Sequence, residues 1–177
     1  MTKKILVAYA TRVGSTIEIA EAIAAVLQEW GVEVEVRSTH ERLDIEHYDG
    51  VVLGSAIRMG HLLPEAVEFL QKNRQYLKTI PVAYFTACIT MTEDTEENRE
   101  TVLHYFDPIM QAVPEVRPIS IGLFAGEIDT HKLGMVPRIA IKMIHAPVGD
   151  YRNWTKIRNW ASVIAPQLMG EAEMMNP

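Results

Sequence analysis

Hydroxyl side chains are concentrated in one short turn near the start of the chain. Residues 11–16 read Thr-Arg-Val-Gly-Ser-Thr. Gly14 lets another group approach the backbone closely, and a helix that starts here presents N–H groups with no intrahelical acceptor. Three hydroxyls, a glycine and free N–H groups together predict a cradle for an anion.

Two common phosphate-binding motifs do not fit this turn. A nucleoside-triphosphate loop needs a lysine at the helix start, and the turn contains none. The dinucleotide fingerprint needs three glycines, and the turn has only Gly14. We therefore predict that Thr11, Ser15 and Thr16 hold a single phosphate, such as that of FMN, without a metal. The alternative is that Ser15 and Thr16 only cap the helix.

The sequence on each side of the turn indicates how it is held. Residues 5–9 form an almost uninterrupted apolar run, typical of a strand that is covered on both faces in a parallel sheet. From Ser15 onwards apolar residues recur at helical spacing, with acidic and amide side chains on the opposite side. The turn is therefore predicted to join a central strand to the first helix.

Strands and helices alternate along the rest of the chain. Further strands are predicted at residues 32–36, 50–54, 81–87 and 119–124, and further helices at 64–72, about 93–112, about 136–145 and 154–168. This alternation predicts an α/β three-layer sandwich, in which a five-stranded parallel sheet of order 2-1-3-4-5 has helices on both faces. A ligand is then expected beyond the carboxyl ends of strands one and three.

Length and composition indicate one globular domain. The chain has 177 residues, of which 48% are hydrophobic, and we expect a single domain over 1–177 with a basic insert at about 125–153. The net charge of −6 argues against general nucleic-acid binding, and a single cysteine, Cys88, excludes an internal disulfide. A cytoplasmic protein is expected, because the first apolar run is too short for a signal sequence or a membrane span.

Three segments carry a resemblance to a known family. Residues 9–16, with Ala20 four residues on, resemble the FMN-phosphate signature of flavodoxins. Segments 54–61 (Gly-Ser-Ala-Ile-Arg-Met-Gly-His) and 149–154 (Gly-Asp-Tyr-Arg-Asn-Trp) are similar to the branch of flavodoxin-like proteins that contains menaquinone-dependent protoporphyrinogen IX dehydrogenases. In that branch FMN accepts hydrogen equivalents from a porphyrinogen and passes electrons to a quinone. The resemblance therefore implies a flavodoxin-like fold and an FMN-dependent oxidoreductase.

Two later loops are expected to hold the flavin ring. Backbone groups of the loop after strand three can bond the ring's polar edge, and residues 86–91 would line its other face. Electron-carrier flavodoxins usually sandwich the ring between aromatic side chains, but neither loop contains one, which suits hydrogen transfer with an organic substrate. No metal is expected. The predicted FMN contacts are Thr11, Arg12, Val13, Gly14, Ser15, Thr16, Ser55, Ala56, Ile57, Arg58, Gly60, Thr86, Ala87, Cys88 and Ile89.

Two residues of the second loop are candidates for catalysis, although the sequence assigns neither. Arg58 could stabilise negative charge on a reduced ring or bind a substrate carboxylate, or it could be a solvated loop arginine. His61 could relay protons near neutral pH, or it could lie at the surface or cap the following helix. Cys88, beside this site, is expected to be a small buried filler.

Basic residues are concentrated in the segment 130–160. It contains six basic residues and one acidic residue, Asp150, so its net charge is +5. In the predicted helix at 136–145, Arg138, Lys142 and His145 share one side. The segment is either an insert with a solvated basic face, or a lid or patch that attracts an anionic substrate or an acidic membrane surface, where a quinone would reside.

The leading hypothesis is an oxidoreductase that moves electrons through FMN from a reduced organic substrate, such as a porphyrinogen, to a quinone. The alternative is a flavodoxin-type carrier that docks protein redox partners, which the acidic bulk of the chain would suit if the partner were basic. A fold that has lost its flavin and serves only as an interaction module is disfavoured by the intact hydroxyl loop. The sequence makes no prediction of the oligomeric state.

Overall fold

Strands and helices alternate along the computed structural model, which describes residues 2–129 and 148–170. The strands are β1 Lys4–Ala10, β2 Glu33–Ser38, β3 Gly50–Arg58, β4 His61–Leu62, β5 Val82–Cys88, β6 Ile121–Ala125, β7 Glu127–Ile128 and β8 Gly149–Asp150. The helices are α1 Ser15–Glu29, α2 Pro64–Leu77, α3 Glu96–His104, α4 Asp107–Ala112 and α5 Trp154–Leu168, and a short 3₁₀ helix spans Ile89–Thr92.

Five parallel strands form the main sheet in the order β2-β1-β3-β5-β6. Numbered among themselves these strands are 2-1-3-4-5, so the predicted order is confirmed. β1 lies between β2 and β3, and Ile5 pairs with both Val34 and Gly50. The apolar run at 5–9 is thus covered on both faces, as its composition predicts, while β2 is an edge strand with no fully buried residue.

Helices cover both faces of the sheet, and each face has its own apolar core. The α/β three-layer sandwich predicted from the sequence is therefore confirmed. On one face α1 and α5 pack through Ile19, Ile23, Leu27, Ile157, Ile164 and Leu168 against Ile5, Val7, Phe85 and Phe124. On the other face α2 and α4 pack through Ala66, Phe69, Leu70, Leu77 and Ile109 against Leu6, Leu53 and Tyr84.

The third strand is longer than the sequence predicts. It was expected to end at Gly54 and open into a loop, but β3 continues to Arg58 and folds back as β4. Met59 and Gly60 make the turn, with φ angles of 51° and 76°, as in a two-residue hairpin. The pattern gave no sign of β4, because a strand of two residues has no alternation to read.

The helix predicted at 93–112 is in fact two helices. α3 ends at His104 and α4 begins at Asp107. Pro108 explains the break, because it has no N–H to donate to the carbonyl of His104 and its ring clashes with that carbonyl. α2 runs to Leu77, beyond the predicted end at 72, whereas α5 has the predicted bounds. The helix predicted at 136–145 lies outside the described residues.

A small antiparallel sheet, formed by β7 and β8, was not predicted. Glu127 pairs with Asp150, and Ile128 pairs with Gly149. This sheet follows β6 directly, at the carboxyl end of the main sheet. β7 and β8 therefore lie next to the edge of the main sheet where a ligand is expected.

Candidate functional site

The three segments predicted to bind a ligand converge at the carboxyl end of the sheet. Ala10 pairs with Ser55, and Ser55 pairs with Thr86, so the loops after β1, β3 and β5 start side by side. The chain after β6 joins them, because a Cβ built on Gly126 would lie 3.5 Å from the Ser15 Oγ. The topology thus brings together residues that are more than one hundred positions apart.

The turn at residues 11–16 is closed by its own side chain and by a glycine. The backbone N–H of Gly14 donates to the Thr11 Oγ1 at 3.0 Å. Gly14 is the N-cap of α1 and has a φ of 94°, a left-handed conformation that favours glycine. No side chain makes a capping hydrogen bond at this end of α1, so Ser15 and Thr16 do not serve as caps.

Thr16 is buried without a hydrogen-bond partner. Its side chain is fully buried and the Oγ1 atom has no partner, while Ser15 beside it is only 7% exposed. A buried polar atom left unpaired costs about 1–3 kcal/mol, so such atoms are uncommon unless something else satisfies them. A phosphate oxygen at the start of α1 would do so, and it would also accept from the free N–H groups of the first turn. The residues present therefore fit the phosphate of FMN.

Arg12 is turned towards α2. Its Nη2 atom lies 2.5 Å from the Glu65 Oε1, and the His40 Nε2 lies 3.6 Å from the same oxygen. Burial opposes ionisation of Glu65, but a hydrogen bond from its own backbone and the Arg12 guanidinium together lower its pKa. The only cation of the turn is thus held by a carboxylate.

Ser55 is engaged within the protein. Its Oγ donates to the Ala56 carbonyl at 2.8 Å and accepts from the Leu63 N–H at 3.0 Å. The hydroxyl therefore fixes the base of the β3–β4 hairpin, and what this segment offers a ligand is the backbone from Ala56 onwards. Ala56 and Ile57 are half-buried, and Gly60 lies in the turn. Arg58 and His61 form an exposed cross-strand pair.

The third segment is tied to the second. Thr86 is fully buried and its Oγ1 donates to the Ser55 carbonyl at 2.8 Å. Ala87 and Cys88 are also buried, whereas Ile89 is 39% exposed. Burial raises the pKa of the Cys88 thiol to about 11, so it stays protonated at neutral pH and is not a nucleophile. Ile89 is therefore the first residue after β5 that a ligand could contact through its side chain.

Two tyrosines from outside these loops also reach the site. A Cβ built on Gly60 would lie 3.4 Å from the Tyr105 ring, and the Tyr105 hydroxyl is 3.5 Å from the Thr90 Oγ1. Tyr151 packs on Cys88, Met91 and Ala125 and lines a cavity of about 130 Å³. Sequence reasoning found no aromatic residue in the two ring loops, which is correct, yet the fold supplies Tyr105 between them. Tyr151 lies in the quoted segment 149–154, and nothing in the sequence placed Tyr105 there.

Arg152 holds the segment 149–154 against α1. Its side chain is only 7% exposed, and it forms ion pairs with Asp150 at 2.7 Å and with Glu18 in the first turn of α1. The guanidinium also lies 4.8 Å from the centre of the Trp154 ring. Asp150 and then Glu18 raise the pKa of Arg152 against the effect of burial. This part of the quoted motif therefore packs beside the turn at 11–16.

The part of the chain that the structure describes has neither a cluster of metal ligands nor a membrane-spanning helix. Within residues 2–129 and 148–170, no three His, Cys, Asp or Glu side chains are grouped so that they could hold a metal ion. No helix in the same ranges is both long enough and apolar enough to cross a membrane.

Known proteins share this sequence pattern and this fold. The model of the flavodoxin domain family matches residues 6–154. Protoporphyrinogen IX dehydrogenase (quinone) of Escherichia coli (strain K12) is 28% identical over 173 residues, which cover 92% of this chain and 94% of that protein. The protein of the same name from Leishmania major is 26% identical over 179 residues, or 92% of this chain and 74% of that protein. The solved structure of oxidised flavodoxin 2 from Bacillus cereus superposes with a TM-score of 0.54 and 24% identity, and covers 93% of this chain and 99% of that chain.

Proposed function

The chain belongs to the flavodoxin domain family, and we propose that it is an FMN-dependent oxidoreductase that passes electrons from a reduced organic substrate to a quinone. The similarity to protoporphyrinogen IX dehydrogenases over almost the whole chain supports a porphyrinogen as that substrate. Membership of the family implies a flavin cofactor. That the flavin is FMN, and that the two substrates are a porphyrinogen and a quinone, is what we propose.

The observation that supports FMN most directly is the unpaired Thr16 Oγ1 in a turn built for an anion. Thr11 closes the turn, and α1 begins directly behind it with Gly14 as its N-cap. This arrangement suits one phosphate, as FMN has, and it offers no lysine for a triphosphate. Val13, Ser15 and Thr16 would hold the phosphate through backbone N–H groups and hydroxyls.

The two remaining segments would hold the ring, whose redox chemistry is supplied by FMN when it is bound. The backbone of Ala56, Ile57 and Gly60 would bond its polar edge, and Ile89 with the buried Thr86–Cys88 strand end would form the opposite wall. Arg58 and His61 are exposed on the hairpin, where Arg58 would bind a substrate carboxylate and the His61 imidazole would exchange protons with solvent. Tyr105 would close the gap between the two loops.

A flavodoxin-type carrier remains the second candidate, and one observation favours it. The chain carries a net charge of −6, which suits docking to a basic redox protein. A carrier and an enzyme would share the same FMN site, so FMN binding alone does not separate them.

The test has two stages. Purified protein is first titrated with FMN and flavin fluorescence is followed; one FMN per chain is expected, and no binding would refute the proposal. FMN-loaded protein is then mixed anaerobically with protoporphyrinogen IX and a menaquinone analogue. Catalytic oxidation that requires the quinone is expected. If the loaded protein leaves protoporphyrinogen unchanged but, once its flavin has been reduced with dithionite and the excess removed, rapidly reduces the basic protein cytochrome c, the protein is a carrier.

A further inference from the structure

An ion pair joins the turn at 11–16 to the start of α2. Arg12 Nη2 and Glu65 Oε1 are 2.5 Å apart, and Glu65 is the more buried partner, with 19% of its side chain exposed against 41% for Arg12. His40, from the chain after β2, approaches the same carboxylate at 3.6 Å. The turn after β1, the chain after β2 and the start of α2 therefore meet at Glu65.

The carboxylate of Glu65 reduces the electrostatic attraction between Arg12 and an approaching phosphate. Arg12 is the only basic residue in the turn, and a guanidinium is the side chain best suited to a phosphate. With Glu65 beside it, an approaching dianion meets a cation and an anion together. The cradle must then bind phosphate mainly through hydroxyls and N–H groups.

The surroundings leave room for the pair to separate. A cavity of about 430 Å³ lies beside Glu65 and is lined by the chain after β2 and by one side of α2. The second carboxylate oxygen, Glu65 Oε2, is buried without a hydrogen-bond partner, so the pair with Arg12 accounts for only one of the two oxygens. The Arg12 side chain itself is 41% exposed, so it can move away from Glu65 without displacing core side chains.

We propose that Glu65 is a positioning residue that holds the guanidinium of Arg12 away from the bound phosphate and so lowers the affinity of the protein for the phosphate group of FMN. This proposal rests on the proposed FMN site. It assigns a role to a residue of α2 that lies outside the three predicted FMN-binding segments.

The experiment compares FMN with riboflavin, which lacks the phosphate. Dissociation constants are measured by flavin fluorescence for the wild type, Glu65→Gln, Arg12→Gln and the double variant, at low and high salt. Glu65→Gln should bind FMN about fivefold more tightly at low salt, and this gain should shrink at high salt, because it comes from partly exposed charges. Arg12→Gln should weaken FMN binding by a similar factor, since it leaves Glu65 unopposed. The double variant should return to the wild-type value, and riboflavin binding should stay constant throughout.

Glu115→Gln is the matched control. Glu115 pairs with Arg74 at 3.5 Å at the far end of α2, so this variant also removes a carboxylate from an arginine pair but does so away from the loop. It should leave the affinity for both flavins unchanged.

Each other outcome contradicts the proposal in a distinct way. If Glu65→Gln weakens FMN but not riboflavin, Glu65 orients Arg12 onto the phosphate and the direction is reversed. If it weakens both flavins alike, the pair is only structural, and if it changes neither, Glu65 does not position Arg12. If neither flavin binds to any of the proteins, the proposed FMN site fails and the role of Glu65 fails with it.

Discussion

Thr16 and Thr86 are both fully buried threonines, but only Thr86 has a hydrogen-bond partner. Under the proposed function the Thr16 hydroxyl binds the phosphate, whereas the Thr86 hydroxyl stabilises the fold. Replacing Thr16 with Val keeps the shape and removes only the hydroxyl. We expect Thr16→Val to weaken FMN binding by about 1.5–3 kcal/mol, the value of a hydrogen bond to a charged group, and to leave the free energy of unfolding of the flavin-free protein unchanged or slightly higher. Flavin titration and urea denaturation check both parts.

Thr86→Val is the matched control, and it should give the opposite pattern. It leaves the Ser55 carbonyl without the donor that now lies 2.8 Å away, inside the sheet. A loss of about 1–3 kcal/mol in the free energy of unfolding is expected, with a smaller effect on FMN affinity. If Thr16→Val destabilises the flavin-free protein as much as Thr86→Val does, Thr16 is a structural residue and the phosphate lies elsewhere.

At the residue scale the sequence predicts where the site residues lie better than which of their polar groups are free to bind a ligand. The hydroxyl turn follows from local spacing, so Thr11, Gly14 and Thr16 lie together as predicted. Ser55 and Thr86 are also predicted FMN contacts, and in the structure their hydroxyls are bonded to backbone groups of the protein. Whether a hydroxyl already has a hydrogen-bond partner depends on residues that are distant in the sequence, such as those of a neighbouring strand. Local sequence does not show these partners. Tyr105 reaches the site for the same kind of reason, through the placement of α3.

The β3–β4 hairpin carries an unusual turn residue. Met59 has a φ of 51° and is 91% exposed, although residues with a side chain seldom adopt this conformation and Asn or Gly is usual in such turns. Met59→Asn should therefore raise the free energy of unfolding by about 0.5–1 kcal/mol, measured by urea denaturation. The control is Met110→Asn, at a methionine in helix α4 that is 36% exposed. The same chemical change should lower stability there, because Asn is a poorer helix former than Met. A loss of stability at position 59 as well would show that the hairpin does not strain Met59.

The edge strand β2 is fastened through a carboxylate. Glu35 accepts from Lys4 of β1 at 2.7 Å and from the Tyr48 hydroxyl at 2.7 Å. The hydrogen bonds from Lys4 and then Tyr48 lower the pKa of Glu35 to about 2, despite some burial. Because the folded state releases this proton more readily than the unfolded chain, the contribution of Glu35 to stability is present above pH 4.5 and is lost as the pH falls towards 2.

Glu35→Gln should reduce the loss of folding stability that the wild type shows at acid pH. At neutral pH the variant should be less stable by about 1 kcal/mol, since the pair lies near the surface and is partly screened. Between about pH 4.5 and 2 its stability should then fall less steeply than that of the wild type. Glu33→Gln is the control, because Glu33 lies on the same strand, 3.4 Å from Lys4, but is 59% exposed. If the free energy of unfolding depends on pH in the same way for the wild type and Glu35→Gln, the ionisation of Glu35 does not contribute to stability.

At the element scale the sequence predicts those features that depend on the local spacing of apolar residues. The strand order follows from one apolar run, one alternating run and the regular spacing of helices, and it is confirmed. The end of β3 and the β7–β8 pair could not be predicted, because strands of two residues exist only through their partners. The break between α3 and α4 was readable in principle, since Pro108 is in the sequence, but acidic residues at the start of α3 suggested one continuous helix.

At the scale of the whole molecule, charge is distributed unevenly. Of the six basic residues in the segment 130–160, Arg152 is buried among carboxylates and Lys156 pairs with Asp94 at 2.8 Å. These two charges are therefore neutralised by carboxylates of the protein itself. Lys132, Arg138 and Lys142 lie outside the described residues, but the chain on either side of them, β7 and β8, is next to the candidate site.

The net charge of +5 in the segment 130–160 supports a proposed contact with an anionic membrane surface or substrate. Replacing Arg138 and Lys142 with Gln should weaken binding to vesicles that contain phosphatidylglycerol by about 1 kcal/mol for each residue, measured by sedimentation at low salt. Added salt should reduce wild-type binding towards the same level. The variant should also raise the Michaelis constant for porphyrinogen or quinone, while its FMN affinity stays constant because the phosphate turn belongs to the first strand and helix.

The control removes the same charge from the opposite end of the sheet. Lys78 follows α2 and Arg117 precedes β6, so both lie near the amino ends of the strands, and both are exposed. Lys78→Gln with Arg117→Gln changes the net charge as much as the test variant does, but it should leave vesicle binding and both substrate constants near wild type. Equal losses in the two variants would show that net charge alone drives the attraction. If the Arg138 and Lys142 variant keeps wild-type vesicle binding and both substrate constants at low salt, the basic segment is ordinary solvated surface, and quinone access must be explained by the flavin site itself.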